Sequence, residues 1–354
     1  MLNSPLFTYP KVGTSKLYET LRQSPKRIVF TDGEDVRVIQ AAASLVKDEL
    51  IAPILLGNKE KVHALAKEKG ISMSFINVVD PTTSKDLELF ESRLERVEKF
   101  RGRVIGNAHE MISNPHNFGA MMVQYGQADG LIAGNQSMPA SIFRSVSQFI
   151  KPIADVPSLF SVVVMVGPEL KHLGADGLLL LADCGMNPEP TVEELASFGI
   201  ETGKLASHIL DKNPKVAFLS HSTQGCMVTP SSQRMAAATA LALDKVNRKS
   251  LAMTLVGEVQ ADVALDPQAA EIKKMGAATT TSDVIVFPSL DAAHISFKLL
   301  QHVGGAQHYG QLIMGLTKPA AQVPRTTSIE TLTGTAILVG IESIKGRELH
   351  FEWD

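Results

Sequence analysis

The chain alternates short apolar or β-branched runs with longer segments whose apolar positions recur every three or four residues. "RIVFTDGED" reads as a strand and a turn, and "VRVIQAAASLVKDE" as the helix that follows, with its apolar positions on one face. "IAPILLG" and "INVVD" read as the next strands, and "KDLELFESRLERVEKF" as a charged helical segment after them. The alternation continues through "ADGLIAG", "SLFSVVVMV", "GLLLLAD", "KVAFLS", "AMTLVGE" and "DVIVFPS". Near-continuous apolar strands separated by helices predict an α/β protein with mostly parallel sheet, covered on both faces. More than eight strands in succession exceed a comfortable single open sheet and predict two α/β domains. The pattern breaks at "FIKPIADVPS", residues 149–158, where two prolines interrupt it.

Composition narrows the function. With 44% hydrophobic and 20% charged residues, the 354-residue chain has enough apolar material for a substantial core. A net charge of −3 and the lack of a long basic run argue against a nucleic-acid partner. The start, "MLNSPLFTYPKVGTSK", does not read as a secretory signal, and runs such as "LFSVVVMVG" are too short to span a bilayer. A cytoplasmic protein without membrane attachment is therefore expected. Cys184 and Cys226 have no metal-ligand spacing, and no His/Cys/Asp cluster does either, so no metal site is expected. There is no Gly-rich loop ending in Gly-Lys-Ser/Thr, no G-x-G-x-x-G after the first strand, and no G-x-S-x-G. ATPases, ordinary nicotinamide enzymes and serine hydrolases are disfavoured accordingly.

Parallel sheets bind ligands outside the carboxyl ends of their strands. Those ends here carry "TDGED", "AGNQS", "ADCGMNPEP", "SHSTQG", "GEVQAD" and "FPSLDAA", rich in small and polar residues. A further stretch, "LTKPAAQVPRTTSIETL" at 316–332, sets Arg325 beside Thr326, Thr327 and Ser328. It leads into a segment with apolar residues at helical spacing: Ile329, Leu332, Ala336, Ile337, Ile341 and Ile344. Hydroxyls, backbone N–H groups at a helix start and an adjacent arginine are a means of holding a phosphate.

Longer phrases carry a resemblance. "NPHNFGAMMVQYGQADGLIAGN", "LADCGMNPEPTVEELA", "KVAFLSHSTQGC", "GEVQADVAL" and "VFPSLDAAHISFKLLQ" occur in the order found in phosphate acetyl/butyryl transferases. The resemblance runs from about residue 28 to the C-terminal helix. It implies two α/β domains of isocitrate/isopropylmalate dehydrogenase-like architecture, with the C-terminal helices returning to the first domain. The expected division is 1–154 plus 317–354 for one domain and 155–316 for the other. It also implies acyl transfer between acyl phosphate and coenzyme A without a cofactor, coenzyme A and phosphate being substrates, and a homodimer. The resemblance makes Arg325 and Arg144 ligands of phosphate or acyl phosphate. A third family arginine would be Arg101 or Arg103, between which spacing does not decide. Asn135, Ser222 and Thr223 fall at strand ends and read equally as turn residues or substrate contacts, and Ser328 as a substrate contact. Asp183 and Glu258 read as turn-fixing residues.

The chain also departs from the family. Where the resemblance places a serine, a glycine and an aspartate around Arg325, this chain has Pro324, Thr326 and Thr331, and His302 replaces an arginine. His302 is a candidate base, or a neutral hydrogen-bonding replacement. Two functions stay open on sequence: a phosphate acyltransferase, and a non-catalytic acyl-CoA-binding regulatory protein on the same scaffold.

Overall fold

The structure, a computed structural model, describes residues 15–348 except 101, 103, 105, 174–176 and 274–280. In chain order it runs α1 (Ser15–Gln23), β1 (Lys26–Phe30), α2 (Val36–Lys47), β2 (Ile51–Leu56), α3 (Lys59–Glu68) and β3 (Asn77–Val79). Next come α4 (Leu87–Phe100), α5 (Ala108–Ser113), α6 (Pro115–Gln124), β4 (Gly130–Ala133) and α7 (Pro139–Phe149). The middle holds β5 (Phe160–Val166), β6 (Leu178–Ala182), α8 (Val192–Leu210), β7 (Lys215–Leu219), α9 (Pro230–Arg248) and β8 (Thr254–Val259). The last part is α10 (Ala261–Leu265), α11 (Pro267–Ile272), β9 (Val284–Val286), α12 (Leu290–His302), β10 (Gln307–Met314), β11 (Ala320–Gln322) and α13 (Ile329–Glu348). No described helix is long and apolar enough to cross a membrane.

The chain forms two compact units. One comprises Lys16–Pro152 together with the segment from Leu316 onward, and the other contains Ile153–Gly315. In the first unit the strand order is β3-β2-β1-β4-β11, with every pairing parallel. Strands β1 and β4 are buried along almost their whole length, in keeping with the apolar run Ile28–Phe30 of β1 and the small and apolar residues of β4. Helix α13 packs on this sheet and on α2. Gly130 permits that approach, since a Cβ there would lie 2.3 Å from Cγ1 of Val339. The apolar spacing of α13 predicts an amphipathic helix, yet every residue from Thr331 to Ile341 is buried.

In the second unit the order is β10-β5-β6-β9-β7-β8. Strands β6, β9, β7 and β8 are parallel, whereas β5 runs antiparallel to both neighbours, β6 and β10. The strand content read from the sequence is present, and mostly parallel pairing holds. Strands β10 and β11 escape the sequence pattern. "QHYGQLIM" mixes polar residues and a glycine into its run, and "AAQ" has no β-branched residue at all.

Candidate active site

Because β1, β4 and β11 are parallel neighbours, the loops that leave their carboxyl ends gather at one edge of the first unit. These loops are residues 31–35, 134–138 and 323–328. Gly134 makes the second and third adjacent. It has φ of +126°, and a Cβ would stand 2.1 Å from the carbonyl oxygen of Val323, so glycine is required both by conformation and by space.

Asp32, Asp35 and Arg37 hold the three loops together. One Asp32 carboxylate oxygen accepts from the backbone N–H of Gly134 at 2.9 Å and of Asn135 at 3.1 Å. Asp35 caps α2 by accepting from the N–H of Arg37. Its second oxygen accepts from Arg37 Nη2 at 2.6 Å and from Gln136 Nε2 at 2.9 Å. Arg37 then reaches across 288 residues of sequence. Its Nη1 donates to the carbonyl oxygen of Arg325 at 2.8 Å and to that of Thr327 at 2.9 Å. Its Nη2 lies 3.5 Å from the Asn135 carbonyl oxygen. Burial pushes the Asp35 carboxyl up, but its hydrogen bonds with Arg37 and the adjacent positive charge outweigh this, and its pKa lies below the usual 3.8. The hydrogen bonds that Arg37 donates to Asp35 likewise hold its guanidinium above its usual value. Both groups are charged, and the arginine acts as a clip on the backbone beneath Arg325.

The Arg325 side chain is exposed, on a loop whose carbonyls are fixed from below. Ser328 spends its hydroxyl on its own helix. Its Oγ accepts from the N–H of Thr331 at 3.1 Å and donates to Thr331 Oγ1 at 3.3 Å. Ser328 therefore caps α13, while Thr331, buried, fills the place for which the resemblance implies an aspartate. Asn135 is buried, and its Nδ2 has no hydrogen-bond partner among the described residues. Arg144 is exposed on α7, the helix that begins just after the Asn135 loop. Arg101 and Arg103 lie outside the described residues.

The same edge holds a histidine that the sequence did not single out. His116, near the start of α6 and buried, places Nδ1 at 2.8 Å from Thr31 Oγ1 and Nε2 at 2.6 Å from Ser137 Oγ. Burial holds its pKa below the ordinary 6.5, with the Asp32 charge opposing. The imidazole is neutral at pH 7.

Ser222, Thr223 and His302 belong to the second unit. Ser222 is fully buried. Its Oγ donates to Glu258 Oε1 at 3.1 Å and accepts from the N–H of Met227 at 3.1 Å. Thr223 Oγ1 accepts from the N–H of Gln260 at 3.0 Å and donates to Gln260 Oε1 at 3.3 Å. Both hydroxyls thus serve the turn between β7 and α9. Asp183 and Glu258 organise strand-end turns. Asp183 accepts from the N–H groups of Ser161, Gly185 and Asn187, and Glu258 from that of Gly225. His302 is exposed at the end of α12.

Signals for Asp32, Asp35 and Ser137 were present in the strand-end phrases "TDGED" and "AGNQS". Nothing local marked Arg37 or His116, whose partners come from distant parts of the chain.

Two α/β units of wholly or mostly parallel sheet, with an arginine-bearing loop held at the strand ends of one of them, define an α/β protein of the kind that binds ligands at the carboxyl ends of its strands. The chain belongs to the phosphate acetyl/butaryl transferase family, whose pattern matches residues 14–339. It is similar to a phosphate acetyltransferase of Acetivibrio thermocellus, with 30% identity over 329 residues, 93% of this chain and 97% of the relative. Among solved structures, the EutD phosphotransacetylase from Staphylococcus aureus superposes with a TM-score of 0.83 at 31% identity, covering 92% of this chain and 97% of that one. A phosphotransacetylase from Streptococcus pyogenes superposes with a TM-score of 0.84 at 29% identity, covering 98% and 100%.

Proposed function

We propose that the chain is a phosphate acyltransferase, converting acetyl-CoA and phosphate into coenzyme A and acetyl phosphate, and the reverse. The observation that carries this reading is the clip of Arg37 on the Arg325 and Thr327 carbonyls, which presents an exposed guanidinium beside the first turn of α13. A helix start and a guanidinium carried on a loop whose backbone is clipped in place both favour a phosphate. In the direction of thioester synthesis, the coenzyme A sulfur attacks the acyl carbonyl and the C–O bond to phosphate breaks. Arg325, with Arg144, neutralises the departing phosphate. The buried Asn135 amide, with its Nδ2 unpaired, is a candidate donor to substrate. The reading includes coenzyme A as substrate rather than cofactor, and a cytoplasmic homodimer, on the strength of the resemblance.

The test is phosphate-dependent thiol release from acetyl-, propionyl- and butyryl-CoA, with calorimetric binding of coenzyme A alongside. Arg325→Ala removes a charge-assisted contact worth about 1.5–3 kcal/mol, so phosphate half-saturation should rise roughly 10- to 150-fold. Unchanged phosphate saturation would remove Arg325 from the site. Tight binding of coenzyme A with no turnover on any thioester would sink the enzyme reading and leave a non-catalytic acyl-CoA-binding protein.

A further inference from the structure

The transfer needs a group to take the thiol proton, and the residue implied for that role by resemblance is Thr331, which cannot act as a base at neutral pH. We infer that Ser137 and His116 form a hydroxyl–imidazole pair that moves this proton in the present chain, Ser137 meeting the thiol and His116 acting through it. The inference rests on the acyltransferase reading above.

Three observations carry it. First, the pair is short and defined: Ser137 Oγ lies 2.6 Å from His116 Nε2, and Nδ1 of the same ring is 2.8 Å from Thr31 Oγ1. A neutral imidazole with hydroxyls on both nitrogens can donate through Nδ1 to Thr31 and accept through Nε2 from Ser137. Second, the two ends differ in access. Thr31 and His116 are buried, whereas Ser137 is only half-buried, so the open end of the chain of hydrogen bonds is the serine. Third, Ser137 stands two residues after Asn135, whose N–H is held by Asp32 and whose carbonyl oxygen faces the same guanidinium that grips the Arg325 loop. The serine hydroxyl and the proposed phosphate ligand are therefore carried by adjoining, mutually fixed loops. Among the described residues, the charged group that acts on His116 is Asp32, in the loop after β1, and it favours the imidazolium formed when the proton arrives.

The S–H bond of coenzyme A breaks and its proton passes to Ser137 Oγ. The Ser137 proton passes to His116 Nε2, giving an imidazolium that hydrogen-bonds through both nitrogens. The sulfur lone pair forms the new S–C bond as phosphate leaves with the electrons of the C–O bond. The imidazolium proton returns through Ser137 to the departing phosphate or to water, and the reverse sequence protonates the leaving thiolate.

The experiment measures thioester formation from acetyl phosphate and coenzyme A between pH 5.5 and 8.5, for wild type, Ser137→Ala, His116→Gln and His116→Ala. With the relay intact, the rate should be flat from about pH 7.5 upward, because an imidazole whose pKa lies below 6.5 is neutral there. Ser137→Ala should lower kcat by about 10²- to 10³-fold with the acetyl phosphate KM within threefold. Its rate should then climb tenfold per pH unit toward the thiol pKa of about 8.5, as the reaction falls back on thiolate already ionised in solution. His116→Gln, which keeps a hydrogen-bonding amide but no base, should behave like Ser137→Ala. Recovery of kcat and the flat profile in His116→Gln, with loss only in His116→Ala, would make the ring a structural bridge and overturn the inference. Should both His116 variants fail to fold, the partly exposed Ser137→Ala decides, since wild-type kcat in that variant overturns it equally. A wild type inactive on every acyl donor would overturn the acyltransferase reading and this inference with it. An active wild type whose Ser137→Ala variant keeps its kcat overturns this inference alone.

Discussion

Replacing Arg37 with methionine keeps most of the alkyl stem and removes the guanidinium on which three loops converge. Two of its bonds, from Nη1 to the carbonyl oxygens of Arg325 and Thr327, are charge-assisted and short. Such bonds contribute about 1.5–3 kcal/mol each. The arginine side chain is 28% exposed, so water screens it and the lower figure applies, giving about 3 kcal/mol for the pair. The variant also strands Asp35, whose side chain is 4% exposed and keeps only Gln136 and its own helix N–H. An orphaned buried carboxylate adds about 1 kcal/mol here, because water can enter where the guanidinium stood. The expected loss is therefore about 3–4 kcal/mol in urea denaturation followed by far-ultraviolet circular dichroism. Combining Arg37→Met with Asp35→Asn should recover about 1 kcal/mol, since no charge is then left without its partner. The acid dependence has a definite sign. The folded pKa of Asp35 lies below its unfolded value, so the clip's contribution is present above about pH 4 and is lost as pH falls through the folded value. Kinetically, release of the Arg325 carbonyl should raise phosphate half-saturation in Arg37→Met. A cost under about 0.5 kcal/mol, together with unchanged phosphate saturation, would refute the clip.

Two other outcomes follow from single residues of the second unit. His308, buried in β10, has its pKa lowered to about 4, first by burial and then by the charges of Lys298 and His302. Its unfolded value is 6.5, so stability should be full above pH 6.5 and decline by about 3 kcal/mol as pH falls toward 4, and His308→Gln should flatten that decline in pH-dependent urea melts. Cys226 is exposed, and the N–H of Thr223 holds its thiol below the usual pKa, whereas burial pushes the Cys184 thiol well up. A disulfide reagent should thus consume one thiol rapidly in the native protein and the second only on unfolding, and Cys226→Ser should keep turnover, because the transfer needs no enzyme nucleophile.

Most of the buried strands, and the family, were legible in the sequence, whereas β10 and β11 were not. Burial on both faces makes β1, β4, β5 and β6 read as mainly apolar runs, and α2 and α8 carry local caps that need no distant information. The strand-end phrases were legible as site-bearing for the same reason, since small polar residues follow each apolar run. Tertiary structure decided what those phrases do. Only the folded chain brings Glu258 within 3.1 Å of the Ser222 hydroxyl and pairs Ser328 Oγ with Thr331. Arg37 and His116 were not singled out because the carbonyls that Arg37 clips lie 288 and 290 residues away, and the hydroxyls on His116 lie 85 and 21 residues away. Periodicity reports which face of an element is buried, but the pairing of polar groups across loops depends on strand order. In the first unit that order places β11, the last described strand, beside β4, so that Arg37 reaches the backbone of both Arg325 and Asn135.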